Sequence, residues 1–392
     1  MTDTENTAIA EILKLLISDG PDGMAHMFTT LFNLAMRLER EQYLHAGPYE
    51  RSSERTGFAN GFKSKKIDTP VGTLRVEVPQ SRGADEPFYP QSLERGCRSS
   101  RALQAAIAEM YVQGVSTRDV EKVMGKLGLE SLSSSQVSKA TKTLDEELKN
   151  WNNRPLGEVC YLLIDARYEK LRVDGVVRDV AVFSAIGIGP DGHRSLLGVS
   201  VDLSEAEVHW RSFLQTLVTR GMRGVRYIVS DDHAGLKAAR KAVFGGTLWQ
   251  RCQYHLSQNA IHHSPNHKIR KEIGGELRAV WNAKNMERAK DELKQLVDKY
   301  REKHPKLASW LEENVPESMT VFTLPENHRK RMRTSNAIER AVQQEIKRRT
   351  SKIRIFPNEA SLLRLVTAIL VEQDEKWSTA RKKYINWNTD EA

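Results

Sequence analysis

Only three cysteines occur in this chain, Cys97, Cys160 and Cys252. Odd in number and widely spaced, they exclude a disulfide framework and fit a reducing compartment. No apolar run approaches the length of a membrane span, so a membrane partner is not expected. The opening stretch "MTDTENTAIAEILKLLI" is acidic and lacks the basic start and small-residue cleavage site of a secretory signal, which predicts a cytoplasmic protein. No G-x-x-x-x-G-K-[ST] loop is present, so no nucleotide cofactor is expected. What remains is a globular composition, 39% hydrophobic and 28% charged, over 392 residues. That length allows two or three domains and at least one sizeable core.

The formal net charge is +9, and its placement matters more than its size. Between Arg329 and Arg354 ten basic residues stand against two acids, Glu339 and Glu345. A concentrated positive stripe is the footprint of a phosphate-backbone binder. Arg340, Lys347, Arg348, Arg349 and Lys352 are its candidate DNA contacts. A carboxylate adds nothing to such a grip, so at least one of the two acids requires another role.

The texture changes along the chain. Residues 1–48 read as helices broken at "DGPDG", with an apolar face at Met27, Leu31, Leu34, Met36 and Leu38 that suits core packing or dimerisation. Residues 49–100 read as a DNA-contacting segment holding a hairpin. There Ile67, Val71, Leu74, Val76 and Val78 alternate around "PVG", beside Lys63, Lys65, Lys66, Arg75 and Arg82. Residues 101–150 give three helices with tight turns, a helix-turn-helix pattern. Ser116 and Ser133 or Ser134 cap the helices, and Gly114 and Gly128 end them. Its polar side offers Arg118, Gln136, Lys139 and Lys142 to DNA. The polar stretch "WNNRPLGE" marks a boundary.

Residues 151–255 follow the order strand, strand, strand, helix, strand, helix, strand, which is that of a ribonuclease-H-like core. Residues 256–328 are helical and Lys/Glu-rich, an all-α insertion, and residues 329–392 complete the core. The fold class expected is therefore α/β, with a hairpin element and a helix-turn-helix domain ahead of the core.

Asp165 closes the first strand in this reading and Asp231–Asp232 the fourth. Strand ends converge at one edge of an α/β sheet. Three carboxylates meeting there, with Glu339 or Glu345 as the third, need divalent cations, and hard oxygen donors favour Mg²⁺, with Mn²⁺ able to substitute. A pair of such ions activates a water or 3′-hydroxyl at a phosphodiester. On a helical wheel starting at Ile338, Glu345 falls inside the apolar stripe, with Arg349 four residues on as its ion-pair partner. Glu339 falls on the margin, where it can reach a site edge.

The residues "TSNAIERAVQQEIKRRTSKIRIFPN" resemble the C-terminal motif of the Mutator-type transposases of bacterial insertion sequences. That motif reads T-[TS]-N-x-[IL]-E-R, then I-[KR]-[RK]-R-[ST] and a closing F-P-[ND]. "VSDDHAGLKAA" is similar to the family's S-D-x-H-x-G-L block, "LLIDARYEKLR" to its first acidic block, and "WQRCQYH" to its C-x-x-H element. The resemblance runs from about residue 50 to residue 377. It implies a DDE triad of Asp165, Asp231 and Glu339, interrupted by a helical insertion, as the gaps of about 66 and 108 residues allow. It further implies a homodimer that binds paired terminal inverted repeats and target DNA. One strand is then cut at each end and a circular intermediate is formed by copying.

Other signals compete. Cys252 and His255 lack the partners of a four-ligand zinc site and read as supporting residues. His233 either orients a phosphate or water, or caps the next helix. Trp281 either stacks on a displaced base or belongs to a core. A non-catalytic DNA-binding regulator and a structure-specific nuclease are the alternative functions.

Overall fold

The computed structural model describes residues 3–84, 86–95, 99–126, 129, 134–338, 342–351 and 353–387. The chain divides into two compact units, Met1–Thr143 and Leu144–Ala392.

The first unit opens with α1 (Asp3–Asp19) and α2 (Met24–Leu44), followed by a two-stranded antiparallel ribbon of β1 (Phe58–Thr69) and β2 (Gly72–Arg82). Thr69 pairs with Gly72, which leaves Pro70–Val71 as a two-residue turn, and Gly72 takes the positive φ of 117° that it requires. Leu74, Val76 and Val78 alternate inward onto Met36 of α2. Val71, read above as part of the alternation, is instead exposed at the turn. Three helices follow: α3 (Arg101–Val112), α4 (Thr117–Lys126) and α5 (Ser134–Thr141). Leu103, Ile107, Val120, Met124 and Val137 from all three form one core. Gly114 ends α3 at φ 84°, and Ser116 accepts the Asp119 N–H at 3.2 Å at the start of α4. Gly128 and Ser133 lie outside the described residues.

The second unit begins with α6 (Asp145–Asn153), anchored where Arg364 meets Asp145 at 2.5 Å. Its sheet holds β3 (Tyr161–Val173), β4 (Val176–Ile188), β5 (Arg194–Asp202), β6 (Tyr227–Ser230) and β7 (Leu248–Arg251) in the order β5-β4-β3-β6-β7. The first three are antiparallel, while β6 and β7 run parallel to β3. Parallel neighbours need crossovers, and α7 (Glu207–Thr219) and α8 (Ala234–Val243) supply them. Side chains alternate across a strand, so Leu162 and Ile164 point into the core with Phe183, Trp210 and Leu236. Leu163 and Asp165 take the opposite face.

After β7 come α9 (Gln253–His263), α10 (His267–Trp281), α11 (Met286–Arg301) and α12 (Pro305–Asn314). Asn266 and Asn285 cap α10 and α11 through their side chains. This helical segment is stitched to the sheet by Gln250, whose buried amide accepts the Val321 N–H and donates to the Ser318 carbonyl, both at 2.7 Å. The chain returns through α13 (Glu326–Met332), α14 (Asn336–Ile338) and α15 (Gln344–Thr350) and closes with α16 (Glu359–Ser378). Phe356 joins the edge of β3 by two backbone hydrogen bonds, and Asn358 caps α16 by accepting the Ser361 N–H. The "IFPN" segment thus fixes where the last helix starts.

Candidate active site

Asp165 does not end its strand. Parallel pairing with β6 stops at Leu163–Val229, but β3 runs on with β4, alongside β5 as far as Tyr168 and then as a two-stranded ribbon, to the Asp174–Gly175 turn. The acid sits where the parallel part stops, and continuing the register brings it level with Asp231, the residue after β6. The sequence pattern alone closes the strand at Asp165. The ribbon persists because its outer residues need to satisfy one face only.

Asp165 is 6% exposed. Its Oδ1 accepts the Ala166 N–H at 2.9 Å, and its Oδ2 accepts the side-chain amide of Gln343 at 2.8 Å. Burial raises its pKa to about 7, reinforced by the charges of Asp231 and Glu205, while His255 and the Ala166 N–H oppose the rise. Asp231 is more open, and its Oδ1 lies 3.8 Å from His255 Nδ1, an ion-pair separation rather than a hydrogen bond. Burial disfavours a charged His255, yet the neighbouring Cys252 and the charges of Asp165 and Asp231 outweigh this and favour the imidazolium.

Asp232 is tied up elsewhere. Lys237 reaches it at 2.7 Å and Arg251 at 2.9 Å, and both cations also meet Glu317 at the end of the helical segment. Of the adjacent acids, the one free of Lys and Arg partners among the described residues is Asp231, which is the residue the motif singled out.

Cys252 is fully buried, and its sulfur accepts both the N–H and the hydroxyl of Ser335 at 3.3 Å. Gln253 N–H donates to the Arg333 carbonyl at 3.1 Å. The C-x-x-H element therefore clamps the "RTSN" stretch to the end of β7 and points His255 at the two aspartates. Among the described residues no three His, Cys, Asp or Glu side chains form a metal-binding group.

Glu339, Arg340 and Lys352 lie outside the described residues. Their neighbours are informative. Ile338 is fully buried, with α14 against β3 and β4, and Val342–Gln343 form a π-helical turn that leads into α15. Ile338, Val342 and Ile346 are all buried, as the wheel drawn from Ile338 has it, and Gln343 is the side chain that bonds Asp165. Sequence reasoning passed over Gln343. Glu345 forms the expected i,i+4 pair with Arg349 at 2.7 Å and another with Arg348 at 2.6 Å.

The proposed DNA contacts divide. Lys347 is exposed, and Arg348 is exposed but bound to Glu345. Arg349 is buried between Glu345 and Glu372, so its guanidinium holds α15 to α16 rather than facing solvent. In the first unit Arg118 and Lys139 are exposed and Gln136 is half-buried, while Lys142 is exposed in the short 3₁₀ turn after α5. His233 is the N-cap residue of α8 but makes no side-chain capping bond, and it stands 3.9 Å from Glu205. Trp281 is buried, its indole donating to Ser318 at 2.9 Å, so it serves the helical core and offers no stacking face.

A five-stranded mixed sheet with two aspartates brought together beside β6, interrupted by a helical segment that is stitched back to the same sheet, defines an α/β protein with a carboxylate-centred site. The model of the transposase Mutator family matches residues 1–380. The transposase of insertion sequence element IS406 from Burkholderia multivorans is 49% identical over 98% of both chains. That of ISRM5 from Rhizobium meliloti is 41% identical over 98% of this chain and 96% of its own. The IS256 transposase of transposon Tn4001 from Staphylococcus aureus is 34% identical over 97% of each. The chain belongs to the Mutator family of transposases.

Proposed function

We propose that this chain binds the terminal inverted repeats of an insertion sequence and cleaves and joins DNA strands at Asp165, Asp231 and Glu339. The core is read as ribonuclease-H-like, a reading supported by three antiparallel strands followed by two parallel ones with helical crossovers. The helices α3–α5, together with the hairpin, are read as the end-recognition elements, acting in a homodimer.

The observation that carries the reading is the strand register that sets Asp165 level with Asp231, together with the bond from Gln343 to Asp165. On either side of residue 339, Ile338 packs on β3 and β4, and Gln343 bonds Asp165. The donor set fits Mg²⁺ or Mn²⁺: all are hard oxygens, and mutual repulsion and burial drive Asp165 toward its neutral form, which a bound dication would reverse. When bound, the ion would polarise the phosphodiester and stabilise the developing charge. The protein's own residues do the remainder. Gln343 and the Ala166 N–H orient the Asp165 oxygens, and His255 supplies a fixed positive charge next to them. Arg251 and Lys237 keep Asp232 out of the site.

The test is strand cleavage of labelled DNA that carries the element's end, with and without Mg²⁺, using wild type, Asp165→Ala and Glu339→Ala. Metal-dependent cutting lost in both variants, with end binding retained, is the expected result. Binding without cutting under any divalent metal would overturn the catalytic reading, and cutting that survives Glu339→Ala would overturn that assignment.

A further inference from the structure

A concave groove of about 780 Å³ lies in the second unit, lined by Arg194, Lys330, Arg331, Arg333, Asn336 and Tyr384 among others, and among the described residues no carboxylate lines it. A smaller hollow of about 190 Å³ shares Arg194, Arg331 and Tyr384 with it and adds Lys382 and Lys383. The cations come from the start of β5, from α13 and its C-cap, and from the segment after α16.

Two of them are held in a particular way. The Arg194 guanidinium lies 4.1 Å from the centre of the Trp377 ring and 4.8 Å from that of Tyr384, and Arg331 lies 4.8 Å from the same Tyr384 ring. Among the described residues neither arginine has a carboxylate within ion-pair distance. Arg251, Arg349 and Arg364, by contrast, each have at least one. Two like charges on one ring, without a counter-ion, repel each other and raise the cost of the folded state. Burial and the neighbouring Arg331 both lower the Arg194 pKa. The backbone secures the arrangement: Tyr384 and Ile385 donate to the Gly192 carbonyl at 2.9 and 3.0 Å, and the Tyr384 hydroxyl donates to the Arg331 carbonyl at 3.4 Å.

One end of the groove is formed by Asn336 and Ala337, adjoining Ser335, which Cys252 clamps beside the candidate active site. From this placement we infer that the groove holds the sugar–phosphate backbone of the DNA strand engaged at the active site, gripping it without reading its sequence. The inference rests on the function proposed above. Guanidinium groups cover Tyr384 and Trp377 is buried, so the aromatics fix flat, forked donors and offer no platform to bases. Contacts of this kind position a strand and carry no sequence information.

The experiment measures binding of the full-length chain to two labelled duplexes, one carrying the element's end and one scrambled, from about 50 to 300 mM KCl. The variants are Arg194→Gln/Arg331→Gln and, at exposed positions, Lys382→Gln/Lys383→Gln. Lys290→Gln/Lys294→Gln, exposed on α11, is the control. Each groove variant should lower the slope of log affinity against log salt by about two, and weaken both duplexes alike by roughly tenfold or more. Slopes unchanged in folded variants, a loss matched by the control, or a loss confined to the end-bearing duplex would each overturn the groove. If Arg194→Gln/Arg331→Gln fails to fold, the lysine pair decides alone. The two readings fail separately: a wild type that cuts nothing refutes the catalytic function while the slopes still judge the groove, and cutting with unchanged slopes refutes the groove only.

Discussion

Asp165→Asn should make the protein more stable while abolishing its chemistry. The buried carboxyl ionises near pH 7 when folded, against an ordinary value of 3.8. Because the folded pKa is the higher, the unfolded chain gives up its proton first as pH rises. Stability is therefore lost between about pH 4 and pH 7 and levels off above. At pH 8 the ionised side chain costs roughly 4 kcal/mol. Asparagine removes that cost but has one oxygen to serve two donors, the Ala166 N–H and the Gln343 amide. One mismatched bond takes back about 1 kcal/mol, which leaves a gain of about 3 kcal/mol.

The assay is urea unfolding followed by tryptophan fluorescence. All seven tryptophans lie beyond residue 150, so the signal reports the second unit. Measured in EDTA, the variant should exceed wild type at pH 8, and the two should converge toward pH 4. Added Mg²⁺ should narrow the gap at pH 8 by stabilising wild type alone. A variant equal to or weaker than wild type at pH 8, or a gap independent of pH, would refute the reasoning.

Three further outcomes are expected. Glu345→Gln should retain strand cleavage and lose about 1 kcal/mol after allowance for solvent screening, read by denaturation at pH 7. Hydrogen bonding to Arg348 lowers the Glu345 pKa to about 2, so wild type alone should lose this contribution as pH falls from about 4.5 toward 2. Cys252→Ala leaves the buried Ser335 N–H and hydroxyl without their acceptor and should cost about 2 kcal/mol, with a double-mutant cycle against Ser335→Ala showing coupling between the two. Gly192→Ala puts a methyl group 2.0 Å from the Ile385 carbonyl oxygen at a φ of +83°, so a loss of about 2 kcal/mol or more is expected. The same change should release Tyr384 from the groove and weaken DNA binding at low salt.

Several elements were legible in the chain because their causes are local. The Ser116 cap, the stop at Gly114, the alternation at Leu74, Val76 and Val78 and the pairing of Glu345 with Arg349 each depend on residues a few positions apart. The order of strands and crossovers between residues 159 and 252 followed from hydrophobic period and turn chemistry. Asp165 and Asp231 could be chosen as candidates because each acid follows an apolar run.

Long-range partners decided the rest. Ten cations between Arg329 and Arg354 look equivalent in sequence, yet Arg349 is enclosed by Glu345 and Glu372, and Arg329 is held by the Leu324 and Lys284 carbonyls. Lys330 and Arg331 instead line a groove with Arg194 and Tyr384, which no local pattern connects. Gln343 meets Asp165 across 178 residues of chain, a contact no local pattern announces. Sequence alone determined which segments form helices and strands and which acids follow apolar strand runs, since backbone propensity and capping act over a few residues. Which charges are neutralised, and which remain to meet a polyanion, was settled only by folding, because a charge's surroundings are built from segments hundreds of residues apart.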